Sequence, residues 1–383
     1  MVTRVEVTGE MLAWARERSG LTFDALTQRF PKLLEWESGD TWPTLRQLED
    51  FARATHIPVG FLLLPAPIAE ALPIPDFRTM ADAAVDTPSP DLLDTVLQCE
   101  RRQEWYRSYA QTNREEAVRF VGSLTLATGI EEAGAAIRKT LTFEIDDRGP
   151  TWSAALERLI EKAEEQGVLV MRNGVVGSNT HRKLDPHEFR GFALADPLAP
   201  LIFVNGADSK AAQIFTVAHE LAHLWVGETA LSDARLDVTP TNAVERWCNQ
   251  VAAEVLVPLQ ALRDNFDRTR DLTEELDRLA LLFKASTLVV LRRVHDAKYL
   301  SFNAFRAAYV AELDRVMALI EEKAGSGGGN FIYTQPVRMS KRFTRSIVAS
   351  ALEGQTLYRD AFQMLGFKKQ KTFDQLAQHL GLR

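Results

Sequence analysis

The sequence predicts a mainly helical α+β protein in which helical segments flank one small β-sheet. Apolar residues recur at helical spacing, between helix caps and breakers, on both sides of residues 168–204. Within that range the pattern changes to short runs of strand-forming residues, Val168–Met171, Gly191–Leu194 and Leu201–Val204. Asp196-Pro197 and Pro200 provide a turn between the last two runs. We therefore expect a small three-stranded sheet that contains a hairpin.

Length and composition indicate a globular protein of several domains. The chain has 383 residues, 46% of them hydrophobic, and a formal net charge of -7. This acidic balance argues against a protein that coats nucleic acid or anionic membranes through its overall field. The two cysteines, Cys99 and Cys248, form no C-x-x-C pair, so neither a disulfide framework nor a cysteine zinc finger is expected.

The same observations favour a soluble cytoplasmic protein. The N-terminus lacks the basic-then-apolar order of a secretory signal, and prolines interrupt the apolar stretch 57–75, which excludes it as a membrane span. Composition shifts predict the domain boundaries. We expect a helical bundle over 1–65, a Pro-rich linker over 66–90, a helical connecting segment over 91–150, a domain with the sheet over 151–325 and a basic helical domain over 326–383.

One predicted helix, from Ser209 to Val226, carries the residues with the clearest chemistry. It is apolar from Ile214 onward except for Thr216 and the polar residues of the motif His219-Glu220-Leu-Ala-His223. The two histidines are four residues apart and project from one helix face, with Glu220 about 100° to the side. Burying three ionisable groups is costly unless a metal satisfies them. The motif therefore predicts a zinc site in which Glu220 acts as general base.

A second predicted helix supplies candidates for the third zinc ligand. After Thr239-Pro240 it places Glu245 and Asn249 four residues apart on one face, with Glu254 on another face. Glu245 is the preferred ligand and Glu254 the alternative, while Asn249 would hold a ligand histidine through its second ring nitrogen. Cys248 is either an additional soft ligand or, as we prefer, a buried structural thiol.

These two motifs resemble the signature of the ImmA/IrrE metallo-endopeptidases. The first is His219-Glu220-x-x-His223, and the second runs from Glu245 through Cys248-Asn249 to Pro258. Family members usually have Ala-Asn and Phe-Ala where this chain has Cys248-Asn249 and Val251-Ala252. The resemblance implies a minimal thermolysin-like (zincin) domain, Zn²⁺ held by His219, His223 and Glu245, and a protein substrate such as a cytoplasmic repressor.

The flanking segments resemble parts found in long members of that family. Residues Leu33 to Ala52 are similar to an XRE-type helix-turn-helix, but the segment before Trp36 is short and residues 1–60 have a net charge of -2, with seven basic and nine acidic residues. DNA binding is therefore doubtful, and docking onto a partner is favoured. Beyond Gly329 the net charge is +6, which predicts that Arg338, Lys341, Arg342 and Arg345 bind nucleic acid or an acidic partner. Long members are often paired with nuclease-like toxins.

The leading hypothesis is a cytoplasmic zinc endopeptidase that acts in regulation by cleaving a repressor or partner protein, within a toxin–antitoxin or stress-response system. Its substrate strand is expected beside a sheet edge near Phe203. His181, His187 and Tyr299 remain open as stabilisers of the oxyanion. The alternative is an antitoxin or transcriptional regulator that binds a nuclease-like toxin or DNA and has a non-catalytic metal site.

Overall fold

The computed structural model describes residues 4–67, 72–76, 88–232, 242–322 and 338–383, and separates the chain into two compact units. The first unit comprises Met1–Pro73 with Asp86–Asp94, and the second comprises Ile74–Val85 with Thr95–Arg383. Within the described ranges, no helix is both long enough and apolar enough to cross a membrane. The finer domain boundaries expected from the sequence stay predictions.

The first unit is a small helical bundle. Its α-helices are α1 (Gly9–Arg18), α2 (Phe23–Arg29), α3 (Leu33–Glu37) and α4 (Leu45–Ala54), followed by a 3₁₀ turn over Phe61–Leu63. Thr44 and Gln47 form a capping box at the start of α4, and the core contains Leu12, Trp36 and Phe51. Helix α3 has only five residues, in agreement with the short spacing before Trp36.

The helices of the second unit surround the sheet and extend beyond it. Helix α5 (Pro90–Thr112) begins in the residues of the first unit and continues into the second. The described helices that follow are α6 (Ile130–Leu141), α7 (Trp152–Glu165), α8 (Lys210–Val226), α9 (Ala243–Leu256), α10 (Leu259–Asn265), α11 (Leu272–Phe283), α12 (Thr287–Asp296), α13 (Phe302–Glu322), α14 (Lys341–Leu352), α15 (Tyr358–Leu365) and α16 (Gln370–His379). A 3₁₀ turn, Ile145–Asp147, precedes α7. The predicted α+β class, mainly helical, is confirmed.

The sheet has four strands in the described residues, one more than the sequence predicts. They are β1 (Leu169–Asn173), β2 (Gly191–Leu194), β3 (Leu201–Asn205) and β4 (Ala230–Ser232), in the order β1-β3-β2-β4. Strands β1 and β3 are parallel, and β2 is antiparallel to both β3 and β4. The expected hairpin is therefore confirmed, whereas β4 was missed because three residues show no alternation that separates a strand from a loop.

Helix α8 lies against the sheet and is tied down at its end. It packs on β2, β3, α7 and α9. Ser209 caps its N-terminus by accepting a hydrogen bond from the backbone of Ala212. At the C-terminus, the backbone N–H groups of Gly122 and Leu124 donate to helix carbonyls, while Phe120 stacks on Trp225. These contacts satisfy backbone groups that a buried helix end would otherwise leave without partners.

The C-terminal helices α14, α15 and α16 pack on the same unit. Helix α14 contacts β1, and its Arg342 donates to the hydroxyl of Tyr106 (2.6 Å) and to the carboxylate of Glu115 (2.9 Å). At the start of α14 the backbone N–H of Lys341 donates to Glu164 in α7 (2.9 Å). The predicted Gly-rich turn over residues 325–329 lies outside the described residues.

The buried carboxyl group of Glu164 should make the stability of the protein depend on pH. Burial raises its pKa to about 7, although hydrogen bonds from Ser340 and the backbone of Lys341 favour the carboxylate. The unfolded chain releases this proton near pH 4.5 and the folded chain near 7, so the free energy of unfolding should fall as pH rises through this window. The shift corresponds to roughly 3 kcal/mol.

Substitution Glu164→Gln should remove this slope, because the amide keeps an acceptor for Lys341 but does not ionise. Urea unfolding followed by circular dichroism between pH 4.5 and 7.5 measures the effect. Glu161→Gln, on an exposed position of the same helix, is the control and should keep the slope of the parent. Equal slopes in the parent and Glu164→Gln would contradict the prediction.

Candidate metal centre

Helix α8 presents a set of polar side chains to the interior of the protein. His219, Glu220 and His223 are each 0% exposed, and their helix is apolar elsewhere in this region. The four-residue spacing brings the two imidazoles together, with 3.1 Å between their Nε2 atoms. Two ring nitrogens thus converge on one point in the core, as the sequence pattern predicts.

Helix α9 brings a carboxylate to the same point. Glu245 lies in its first turn, and the helix packs along α8. The Glu245 oxygens lie 3.2 Å from Nε2 of His219 and 3.0 Å from Nε2 of His223. A second helix therefore completes a three-residue set, His219, His223 and Glu245, whose ligand atoms face each other and which could hold a metal ion.

The chemistry of this donor set fits a divalent metal. Two ligand atoms at about 2.0–2.2 Å from a tetrahedral zinc ion lie about 3.3–3.6 Å apart, close to the separations found here. With neutral imidazoles, the four buried groups Glu220, Glu245, His219 and His223 carry two negative charges. A divalent cation would balance these charges. Without compensation, each of the two buried carboxylates would cost on the order of several kcal/mol. The three ligands are those that zinc peptidases use.

The ionisable groups of the set also stabilise one another. Burial raises the pKa of Glu245, but the neighbouring His219 and His223 more than offset this and lower it to about 2. Burial lowers the pKa of both histidines. For His219 the contacts with Glu245, Glu220 and Asn249 reverse the direction, so its pKa is raised, whereas the pKa of His223 stays lowered. Glu245 is therefore a carboxylate, which is the form that binds metal.

Glu220 lies at a close approach of strand β2 to helix α8. A Cβ atom added at Gly191, the first residue of β2, would lie 2.5 Å from Cγ2 of Thr216 and 3.3 Å from Oε1 of Glu220. The absence of a side chain therefore lets the strand backbone come next to the Glu220 carboxylate. Gly191 is not among the site residues predicted from the sequence, although a glycine within a strand is a signal of close backbone approach.

The other residues of the second motif separate into neighbours of the site and structural groups. Asn249 helps to raise the pKa of His219, and its role in orienting that ring stays a prediction. Cys248 is fully buried in the main hydrophobic core, where burial raises its pKa well above the usual value, and it is not part of the metal-binding set. Glu254 pairs with Arg293 and lies 3.9 Å from Arg138. Glu254 is thus engaged in ion pairs outside the metal-binding set, and the alternative of Glu254 as third ligand is wrong.

The predicted basic binding residues of the C-terminal region are partly engaged within the chain. Arg342 is paired with Glu115, and Arg345 donates to the carbonyl of Leu380 (2.9 Å). Lys341 and Arg345 are exposed and Arg338 is half-buried. The structure uses Arg342 to hold α14 in place, so its availability for a partner is reduced, and binding by Arg338, Lys341 and Arg345 stays a prediction.

The expected substrate edge near Phe203 is wrong. Phe203 lies in β3, which pairs with β1 on one side and with β2 on the other, so its backbone is already used in the sheet. The strand on the far side of β2 is β4, and residue Asp76 forms a parallel bridge to its Leu231.

The three candidates for the oxyanion stabiliser lie in different surroundings. His181 and His187 are exposed in the loop between β1 and β2, while Tyr299 stacks on Phe266. These positions do not favour any of the three as the oxyanion stabiliser.

The His-Glu-x-x-His helix lies on a small mixed sheet, and a glutamate from a second helix completes the set of three possible metal ligands. This is the arrangement of a metallopeptidase-like domain. Residues 163–295 match the family model of the IrrE N-terminal-like domain (peptidase M78), and this match includes all four residues of the site. It supports the resemblance to ImmA/IrrE proteins. Residues 339–379, which contain α14 to α16, match a domain of unknown function (DUF8813). No curated protein and no solved structure matched the chain.

The metal-binding set predicts zinc binding that depends on Glu245 and not on Glu254. The purified parent should contain about one zinc ion per chain, and Glu245→Ala should lose most of it, because only two protein ligands remain. Glu254→Gln lies on the same helix and should keep the metal. Elemental analysis after dialysis measures both, and chelation should lower the melting temperature of the parent and of Glu254→Gln only. Retention of zinc by Glu245→Ala would contradict this ligand set.

The close approach at Gly191 predicts that a single methyl group disturbs the site. Gly191→Ala should destabilise the protein by about 1–3 kcal/mol, since β2 must move away from Thr216 and Glu220. Gly129→Ala is the matched control, because a Cβ at Gly129 meets no atom within 4 Å. Thermal unfolding with and without zinc measures the difference. If Gly191→Ala unfolds at the temperature of the parent, the strand does not depend on this contact.

Proposed function

We propose that this protein is a zinc-dependent endopeptidase that acts in regulation. The observation that carries the proposal is the convergence of His219, His223 and Glu245 in the core, with Glu220 next to the first histidine on the same helix. The match to the IrrE N-terminal-like domain supports a peptidase and hence a protein substrate. A purely structural metal site would not need the fourth, buried carboxylate of Glu220.

Each residue has a distinct role in the proposed reaction. His219, His223 and Glu245 would hold zinc, which when bound supplies a Lewis acid that polarises the scissile carbonyl and acidifies water. Glu220 takes the proton of the attacking water and passes it to the leaving amine. Its carboxylate is fully buried and lies next to the backbone of β2 at Gly191, which keeps it out of bulk solvent. Asn249 fixes the orientation of the His219 ring.

We propose a repressor or another partner protein as the substrate, in a cytoplasmic toxin–antitoxin or stress-response system. The first unit supports a protein partner more than DNA, because several of its large apolar side chains are exposed: Leu21, Leu34, Trp42 and Leu45. Exposed apolar groups of this kind are typical of protein contacts. Residues 1–60 also have a net negative charge, which gives little attraction to phosphates. Binding of promoter DNA that falls steeply with salt would instead favour the helix-turn-helix role.

Substitution Glu220→Gln tests the catalytic role directly. The amide has nearly the same shape but does not accept a proton, so peptide cleavage should fall by a factor of about 10² to 10⁴ while zinc content stays unchanged. The assay incubates zinc-loaded protein with a defined peptide library and identifies new termini by mass spectrometry. Glu254→Gln serves as a control that alters a buried glutamate outside the site.

The outcomes separate the two hypotheses. Cleavage by the parent and by Glu254→Gln, but not by Glu220→Gln, supports the endopeptidase. Equal cleavage by the parent and Glu220→Gln would remove the catalytic claim. Zinc binding without cleavage of library peptides or of candidate repressors would favour the alternative, an antitoxin or regulator whose metal site is not catalytic.

A further inference from the structure

A cavity far along the chain from the metal motifs lies between α5, the loop after β1 and α15. Its volume is about 800 Å³, which is within the range of small-molecule sites. Its walls include Arg101, Arg102 and Trp105 of α5 together with Leu357 and Met364 from the α15 region. All of these residues belong to the second unit.

Arg102 is a buried cation without an acidic partner in the described part of the chain. It is only 7% exposed, and its partners are the carbonyl of Met364 (3.2 Å from Nε) and the sulfur of Met171 (3.9 Å from Nη1). The adjacent Cys99 does not compensate it, because burial raises the pKa of that thiol to about 12 and keeps it neutral. A buried charge that lacks a counter-ion is costly, so an anion in the cavity would stabilise it.

The surroundings of Arg102 add positive potential. Arg101 is exposed at the cavity and has no ion-pair partner among the described residues, and its charge further lowers the pKa of Arg102, after the larger effect of burial. Helix α15 starts at the cavity wall, and its N-cap Leu357 offers no side-chain acceptor to the backbone N–H groups of the first turn. Two guanidinium groups and a helix N-terminus are donors that suit a phosphate.

Two acidic residues also line the cavity. Asp360 is paired with Arg359 (3.2 Å), and Glu104 is exposed. Neither is within ion-pair distance of Arg101 or Arg102, so both arginines remain available to an anion. The apolar wall is provided by Trp105 and by Leu357, which is 64% exposed despite being a large hydrophobic residue. A ligand with an organic body would cover this surface.

We propose that this cavity binds a phosphate monoester with an organic body of about nucleotide size. The phosphate contacts Arg101 and Arg102, and the organic part lies against Trp105 and Leu357. Because the cavity is formed by α5 on one side and α15 on the other, the ligand links the C-terminal helices to the rest of the second unit. This site is independent of the proposed peptidase activity.

The test uses the full-length protein and follows its thermal unfolding with adenosine 5′-monophosphate, inorganic phosphate and adenosine as probes. The monophosphate should raise the melting temperature of the parent in a saturable manner, phosphate should do so more weakly, and adenosine should have little effect. Affinity for the monophosphate should fall about ten- to a hundredfold in Arg101→Gln and in Arg102→Gln. Arg119→Gln, an exposed arginine outside the cavity, should respond like the parent.

Arg101→Gln keeps the test valid if Arg102→Gln fails to fold, since Arg101 is exposed and makes no ion pair in the described chain. If inorganic phosphate alone raises the melting temperature of the parent in a saturable manner, and this effect is lost in Arg101→Gln, the result supports the anion site for a ligand whose organic part is not adenosine. Equal stabilisation of the parent and Arg101→Gln, or none by either phosphate or the monophosphate, would overturn the proposal.

Discussion

The structure depends on the burial of four ionisable side chains at one point in the core. His219, Glu220 and His223 from one helix and Glu245 from another are fully buried and together carry two negative charges when the imidazoles are neutral. Desolvation opposes this arrangement strongly. The groups offset part of this cost by facing each other, and a bound divalent cation would balance both charges. Metal binding at this set would therefore be coupled to folding of the domain.

The elements around the site hold the two helices in register. Backbone donors from residues 122–124 satisfy the end of α8, and the buried Arg148 donates to carbonyls at the end of α9. A positive charge at a helix C-terminus is favourable, and here it is shielded from water. Gly191 lets β2 approach Glu220. The same few contacts therefore position the two helices and the strand that surround the four side chains of the site.

The C-terminal helices show how an overall charge differs from the charge available at a surface. Residues after Gly329 have a net charge of +6, yet Arg342 is used in an ion pair with Glu115 and the N-terminus of α14 is held by Glu164. Part of the basic character thus stabilises the packing of this region on α5 and α7. By contrast, Arg101 and Arg102 lie in the acidic part of the chain, line the cavity and form no ion pair with another described residue.

The sequence by itself determined the local elements and the two histidines of the candidate metal centre. The periodicity of residues 152–165 and 209–226, with their caps, predicts α7 and α8 nearly to the residue, because these signals are local. The His219–His223 spacing likewise fixes both imidazoles on one face. Only the tertiary structure decided which carboxylate joins them, because Glu245 lies beside the histidines whereas Glu254 pairs with Arg293. It also decided that β3 is an inner strand of the sheet. These outcomes depend on contacts between segments far apart in the chain, for which a single sequence contains no direct signal.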